Sequence, residues 1–138
     1  MLEDLIVLIT AAGLGTYNVD LFKGAKAIIP PGEGPFTTLI ATGGATPEGT
    51  HNSVDVPAYI RPSCQFVVRA DDYDVAEVRA KALYALVFGI RNQFVNGCWW
   101  RQVTMVQSEP FDLGADDASR ARVAFSIDVI KRLSAATS

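Results

Sequence analysis

SCQFVVRADDYDVAEVRAKALYALVFGIRNQF, residues 63–94, decides the fold. Its first part alternates, with Cys64, Phe66 and Val68 on one side and Gln65, Val67 and Arg69 on the other, the period of a half-buried strand. After Ala70-Asp71-Asp72-Tyr73-Asp74 the period changes. At about 100° per residue Ala76, Ala80, Leu83, Val87, Ile90 and Phe94 fall in one narrow stripe, which predicts a long helix lying on a sheet. Asp74, followed three residues later by Glu77, matches a capping box with Asp74 as N-cap, and the aspartates before it suit the positive end of the helix dipole. Burying the four large side chains of the stripe stabilises by roughly 1.5–3 kcal/mol each, against a few tenths for a surface charge pair, so packing decides this element. Tyr84 and Phe88 flank one edge of the stripe and Leu86 the other, an apolar arc wider than one sheet face needs. That surplus either meets another subunit or sits under the chain's own loops. Gly89, read as helical, costs about 1 kcal/mol relative to alanine.

Outward from this unit, Leu2, Ile6, Ile9 and Gly13 share a helical face that stops at Gly13 and Gly15, predicting a short N-terminal helix. Thr16–Gly24 reads as irregular. Ala25–Ile29 and Phe36–Ala41 read as strands parted by Pro30-Pro31-Gly32-Glu33-Gly34-Pro35, a rigid turn. Thr42–Pro57, with three glycines and two prolines, reads as a long exposed loop. Asn96-Gly97 signals a turn into a strand over Cys98–Gln107, with Val103 and Met105 on one face and Gln102 and Thr104 on the other. Ser108–Arg122 has turn chemistry, and Val123, Phe125, Ile127 and Val129 then alternate with Ala124, Ser126 and Asp128 in a closing strand. The expected fold is α+β: a mostly antiparallel sheet of about four to five strands with one long helix packed on it and a short N-terminal helix. Residues 1–138 read as one domain, with 42–57 an exposed loop and 134–138 a flexible tail.

Composition bounds the function. The chain is 49% hydrophobic and 20% charged, which reads as folded and globular. A net charge of −3 and a pI near 5.0 leave no basic footprint for gripping nucleic acid. Cys64 and Cys98 read as reduced core residues that neighbour one another in the sheet, since two cysteines make no disulfide framework. The apolar run Leu5–Ile9 is too short to span a bilayer and follows acids where a secretory signal has positive charge, so a soluble, cytoplasmically made protein is expected.

The search for chemistry yields little. His51 is the only histidine, so any histidine-based nucleophile pair or metal site must centre on it, in the loop Gly49-Thr50-His51-Asn52-Ser53. Cys64 and Cys98 lack zinc spacing. Gly13-Leu14-Gly15-Thr16 and Gly43-Gly44-Ala45-Thr46 lack both the lysine of a P-loop and the full dinucleotide frame. Asp71, Asp72 and Asp74 have no EF-hand spacing and serve as capping groups. Trp99 and Trp100 point to opposite faces of a regular strand, one inward and one outward, and an outward tryptophan marks either an interface or a loop-covered site. No catalytic, cofactor-binding or metal-binding residue is assigned, and the expected function is structural, not enzymatic.

Leu5-Ile6-x-x-Ile9-x-x-Ala12-Gly13-Leu14-Gly15-Thr16 precedes Asp20-Leu21-Phe22-Lys23-Gly24; Arg69-Ala70-Asp71-Asp72-Tyr73-Asp74-x-Ala76 leads into Leu83-Tyr84-x-Leu86; and Gln107-Ser108-Glu109-Pro110-Phe111-x-Leu113-Gly114-x-Asp116 precedes the closing strand. With these segments the chain resembles the bacteriophage minor capsid or tail-completion proteins of long-tailed phages, including the tail terminators, over most of its length and least across Ile28–Pro57. The resemblance implies a small α+β subunit closing into a ring, commonly a hexamer, that caps the tail tube, stops its polymerisation and joins it to the head connector. The implied partners are further copies of the chain, the tail tube protein and a head connector or neck protein. DNA would pass through without specific binding, no membrane would be involved, and the protein would sit in the virion tail or neck after assembly in the host cytoplasm. Tyr84, Leu86, Phe88, Trp99 and Trp100 are then the expected subunit interface. Gly43, Gly44, Glu48 and His51 are the expected contacts to the tail tube or connector, through a loop that orders on assembly. A head-side neck component is the nearer alternative; a small ligand-binding protein or enzyme using His51 and a nearby acid is the more distant one.

Overall fold

The computed structural model describes residues 1–24, 27, 29–32, 34–43, 45–48, 59–116 and 119–132, with the backbone alone over 45–48. Along the chain run α1 (Leu2–Ala11), β1 (Leu21–Lys23), β2 (Phe36–Ala41), β3 (Ala45–Glu48), β4 (Tyr59–Arg61), β5 (Ser63–Ala70), α2 (Tyr73–Val87), β6 (Arg91–Val95), β7 (Cys98–Met105), β8 (Phe111–Ala115) and β9 (Ala121–Arg132).

β9 is the spine of the sheet. One of its edges pairs antiparallel with β5 and then β4, the other with β8 and then β7. Tyr59 faces Arg132, Ile60 faces Lys131 and Ser63 faces Asp128, so β4 and β5 keep one register against β9 across Pro62. The Val129 N–H still donates to the Pro62 carbonyl at 2.9 Å, and only the N–H that proline lacks is lost. On the far side of this composite strand lie β2, paired with β5, and β3, paired with β4. The register slips by one residue between Ala41 and Ala45, where Gly43 takes φ +94°. Outside β2, β1 runs parallel to it.

This architecture corrects the expected one. The sheet holds nine strands among the described residues and is mixed, where four to five mostly antiparallel strands were predicted, and two helices pack inside it. α1 touches both β2 and β6, which are separated in the sheet by β5, β9 and β7, so the sheet curls around the helices as a half-barrel. The predicted long helix is the main source of the error. It starts at Tyr73, with Asp72 and not Asp74 as N-cap, the Asp72 carboxylate accepting from the Asp74 N–H at 3.0 Å; Glu77 accepts instead from the Tyr73 hydroxyl. It ends at Val87. Gly89, at φ +92°, lies beyond it, and no L side chain adopts that conformation comfortably. Ile90 is buried as predicted but outside the helix, and Phe94 stands 66% exposed on β6.

Other expectations shift as well. α1 ends before Gly13, as predicted, but the side chains it buries completely are Leu5 and Ile9; Leu2 and Ile6 sit at the core margin. The irregular Thr16–Gly24 contains β1, the loop read over Thr42–Pro57 contains β3, and the connector Ser108–Arg122 contains β8. Of the strand expected over Ala25–Ile29, residues 25, 26 and 28 lie outside the described set, and Ala27 and Ile29 are not strand. Residues 134–138 lie outside it too.

The core lies between the concave sheet face and the helices. Cys64, Phe66 and Val68 of β5 and Val123, Phe125, Ile127 and Val129 of β9 face Ala76, Ala80, Leu83 and Val87 of α2, all 0% exposed. Phe66 and Phe125, directly opposed across the two strands, stack with ring centroids 4.6 Å apart. α1 is held by a buried ion pair. Asp4 meets Lys131 of β9 at 3.1 Å, and its other oxygen accepts from the Asn96 side chain at 3.1 Å.

Candidate assembly surface

Strand β6 and the end of α2 carry most of the exposed apolar area that the sequence pointed to. Asn96 at φ +50° and Gly97 at φ +79° form a two-residue turn joining β6 to β7, with Val95 opposite Cys98. β6 pairs on its other side with no strand among the described residues, so it is a sheet edge. Phe94 on β6 meets the half-buried Trp99 on β7 edge to face, centroids 5.0 Å apart. Where α2 ends, Phe88 is 64% exposed and stacks on Tyr84 at 6.0 Å. Phe88, Ile90, Arg91, Val103 and Met105 line an open groove of about 480 Å³ there.

The five expected interface residues do not behave alike. Phe88 is exposed, and Trp99 is half-buried beside an exposed partner. Tyr84 and Leu86 are half-buried against the core, and the Tyr84 hydroxyl donates to the Gln107 carbonyl at 2.8 Å, tying α2 to the connection between β7 and β8. Trp100 is corrected: it is 0% exposed and fills the core opposite Lys131, its indole N–H finding no hydrogen-bond partner among the described residues. Alternation did separate the tryptophans, Trp100 inward and Trp99 outward.

Of the expected tube or connector contacts, Gly43 is exposed and sits at the register slip between β2 and β3. Glu48 ends β3 opposite Tyr59, with its side chain not described, and Gly44 and His51 lie outside the described residues. β3 and β4 are therefore the arms of a hairpin whose connecting residues 49–58 are undescribed.

A second exposed apolar area went unread in the sequence. Val75 is 42% and Val78 69% exposed on the outer face of α2, and with Pro35, Asp74 and Arg79 they line an open, mainly apolar groove of about 350 Å³. Their spacing of three puts them together on one helical face, outside the stripe that packs on the sheet. Asp74 on this groove is exposed, as are Asp71 and Asp72 just before it in the chain. Arg79 is occupied elsewhere, donating to the Leu14 carbonyl at 2.6 Å and lying 4.0 Å from Asp20.

On the convex sheet face Arg69 and Arg120 share Asp116, at 3.6 and 3.1 Å, and Arg120 also donates to the Pro30 carbonyl. Among the described residues no three acidic, histidine or cysteine side chains cluster to hold a metal ion, and no helix is long and apolar enough to cross a membrane. Burial pushes the Cys64 thiol up to about 12. Both cysteines are free, but Cys98 is half-buried and starts β7 at the opposite end from Met105, which is the residue of β7 level with the Cys64 neighbour Ile127, so the two are not neighbours.

No family model matches the chain, and no curated protein is significantly similar to it. Its fold is similar to that of a solved chain from the virion of a native gene transfer agent particle, with a TM-score of 0.56 and 14% identity, covering 92% of this chain and 85% of that one. At that identity the likeness is one of fold.

Proposed function

We propose that this chain is a structural component of a phage-like virion, and within it a tail terminator: a subunit that closes into a ring, commonly of six copies, caps the tail tube, stops its growth and joins it to the head connector. The observation that carries the reading is the likeness of fold to a virion chain, which spans 92% of this chain and 85% of that one. Exposed Phe88, Phe94, Val75 and Val78 on a small acidic chain fit a subunit that buries them in an assembly. The β3–β4 hairpin is the element we assign to the tail tube or connector, and DNA crosses the ring without specific contacts.

Particles made with and without the chain test this. With it absent, electron microscopy should show tail tubes of uncontrolled length and heads lacking tails, and the purified complete particle should contain the chain at the head–tail junction. Tails of normal length joined to heads in its absence would refute the terminator role.

A further inference from the structure

The two exposed apolar areas lie at opposite ends of α2. Val75 and Phe88 are thirteen residues apart, about 20 Å at helical rise. One area is Val75 and Val78 beside Pro35, with exposed Asp74 on its lining and exposed Asp71 and Asp72 preceding it in the chain; Arg79, also on the lining, is tied to Leu14 and Asp20. The other is Phe88 over its groove, with exposed Arg91 at the rim and exposed Phe94 on β6. The first area is thus bordered by an exposed carboxylate and the second by an exposed guanidinium. Two copies meeting through the same area would set acid against acid or arginine against arginine, which opposes association, modestly for charges at an exposed rim. Only the unlike pairing brings opposite charges around matched apolar centres. Because the two areas are different surfaces at different ends of one helix, that pairing runs head to tail and repeats from copy to copy, closing a ring if the rotation allows.

We infer that the occupant of the Val75–Val78 groove is a second copy of this chain, which inserts Phe88 there and sets Arg91 against Asp74. The inference rests on the ring reading above and specifies which surfaces join. Phe88 has the features of an anchor: a large aromatic, exposed in the single chain, already held in one position by its stack on Tyr84, so little side-chain freedom is lost on docking. The exposed charges at the rim set orientation and contribute modestly.

Val78→Asp and Phe88→Asp test this, since both positions are exposed and neither change disturbs the core; unaltered circular dichroism and melting temperature serve as the check. By light scattering and sedimentation each variant alone should associate about thirty-fold more weakly than the unaltered chain, or worse, as expected for loss of an interface anchor. Mixed in equal amounts, the two variants retain one sound junction between them, Phe88 of the Val78→Asp chain against Val78 of the Phe88→Asp chain. The mixture should therefore stop at a dimer. Asp74→Arg should weaken association by up to about five-fold, and adding Arg91→Asp to the same chain should recover most of it. If the unaltered chain forms higher oligomers and either aspartate variant assembles as well as it does, the pairing is wrong although the ring reading stands. A mixture that yields no dimer, or regains full assemblies, overturns the pairing in the same way. An unaltered chain that stays monomeric at every concentration overturns the pairing and removes the ring reading's support.

Discussion

Replacing Asp4 by asparagine should destabilise the chain by about 3–5 kcal/mol. The Asp4 and Lys131 side chains are only 9% and 10% exposed, their charged atoms lie 3.1 Å apart, and the Asp4 carboxylate also accepts from the neutral Asn96 amide and attracts the Met1 ammonium, which is no counter-charge for Lys131. An asparagine fills the same space but leaves the Lys131 ammonium buried without a counter-charge, the circumstance in which breaking one side of a buried pair costs that much. For a chain of this length, where each kcal/mol moves the midpoint by about 3–5 °C, the thermal transition should fall by about 10–20 °C. Urea unfolding followed by circular dichroism supplies the free energy, with an unchanged m-value showing that the unfolded state has not altered. The decisive comparison is the double replacement Asp4→Leu with Lys131→Met. It removes both charges and both desolvation costs, so it should return to within about 1 kcal/mol of the original stability or exceed it. A loss below about 1 kcal/mol for Asp4→Asn, or a double variant as unstable as the single one, would refute the reasoning, because the pair would then be solvated and α1 held by Leu5 and Ile9 alone.

Two further outcomes follow from burial and backbone geometry. Cys64 keeps its thiol protonated to about pH 12 against an ordinary 9.0, so the unfolded chain ionises first: stability is fully present below pH 9 and declines from there towards pH 12, and Cys64→Ala should flatten that decline in urea titrations. At pH 8 a thiol reagent should label Cys98 quickly and Cys64 only on unfolding; equal labelling rates would contradict the burial. Gly34 has φ +79°, and a Cβ there would stand 2.6 Å from the Arg69 carbonyl oxygen, so Gly34→Ala should cost about 2 kcal/mol or more in the same denaturation assay, whereas Gly13→Ala, with open space around it, should cost about 1 kcal/mol.

Period-two patterns were the most legible signals. β5 and β9 lie where alternation put them, β2 spans the predicted Phe36–Ala41, and the Asn96-Gly97 turn leads into β7. β5 and β9 have one face against α2, so burial imprinted the pattern there; β2, buried at its first four residues, was marked instead by the Pro30–Pro35 turn before it. The misread elements lack that imprint. β6 has four exposed residues and one buried, Val95, so it shows no alternation, and Ile90 before it and Phe94 within it fell by chance in phase with the stripe of α2. β1, β3 and β8 are short edge strands, where polar residues and glycine serve as well as apolar ones and no alternation is needed. The assembly surface was half legible: Phe88 and Trp99 stood out as surplus apolar residues. Trp100 turned out to be core: alternation puts the two tryptophans on opposite faces but does not say which face is buried. Val75 and Val78 lie outside the stripe of α2 that packs on the sheet and went unread.

The strand that organises the sheet is also the last of the described strands to be synthesised. β9 pairs with β4, β5, β7 and β8, and none of those four pairings exists until residues 121–132 have left the ribosome. Until then β5 has β2, β7 has β6, and α2 has one strand of its bed but not the other. The nascent chain thus carries two separate hairpin-like halves with their apolar faces uncovered, and closure is a single late event. An incomplete chain has no half-barrel, so whatever recognises the shape of the finished sheet has nothing to recognise until the last strand is in place.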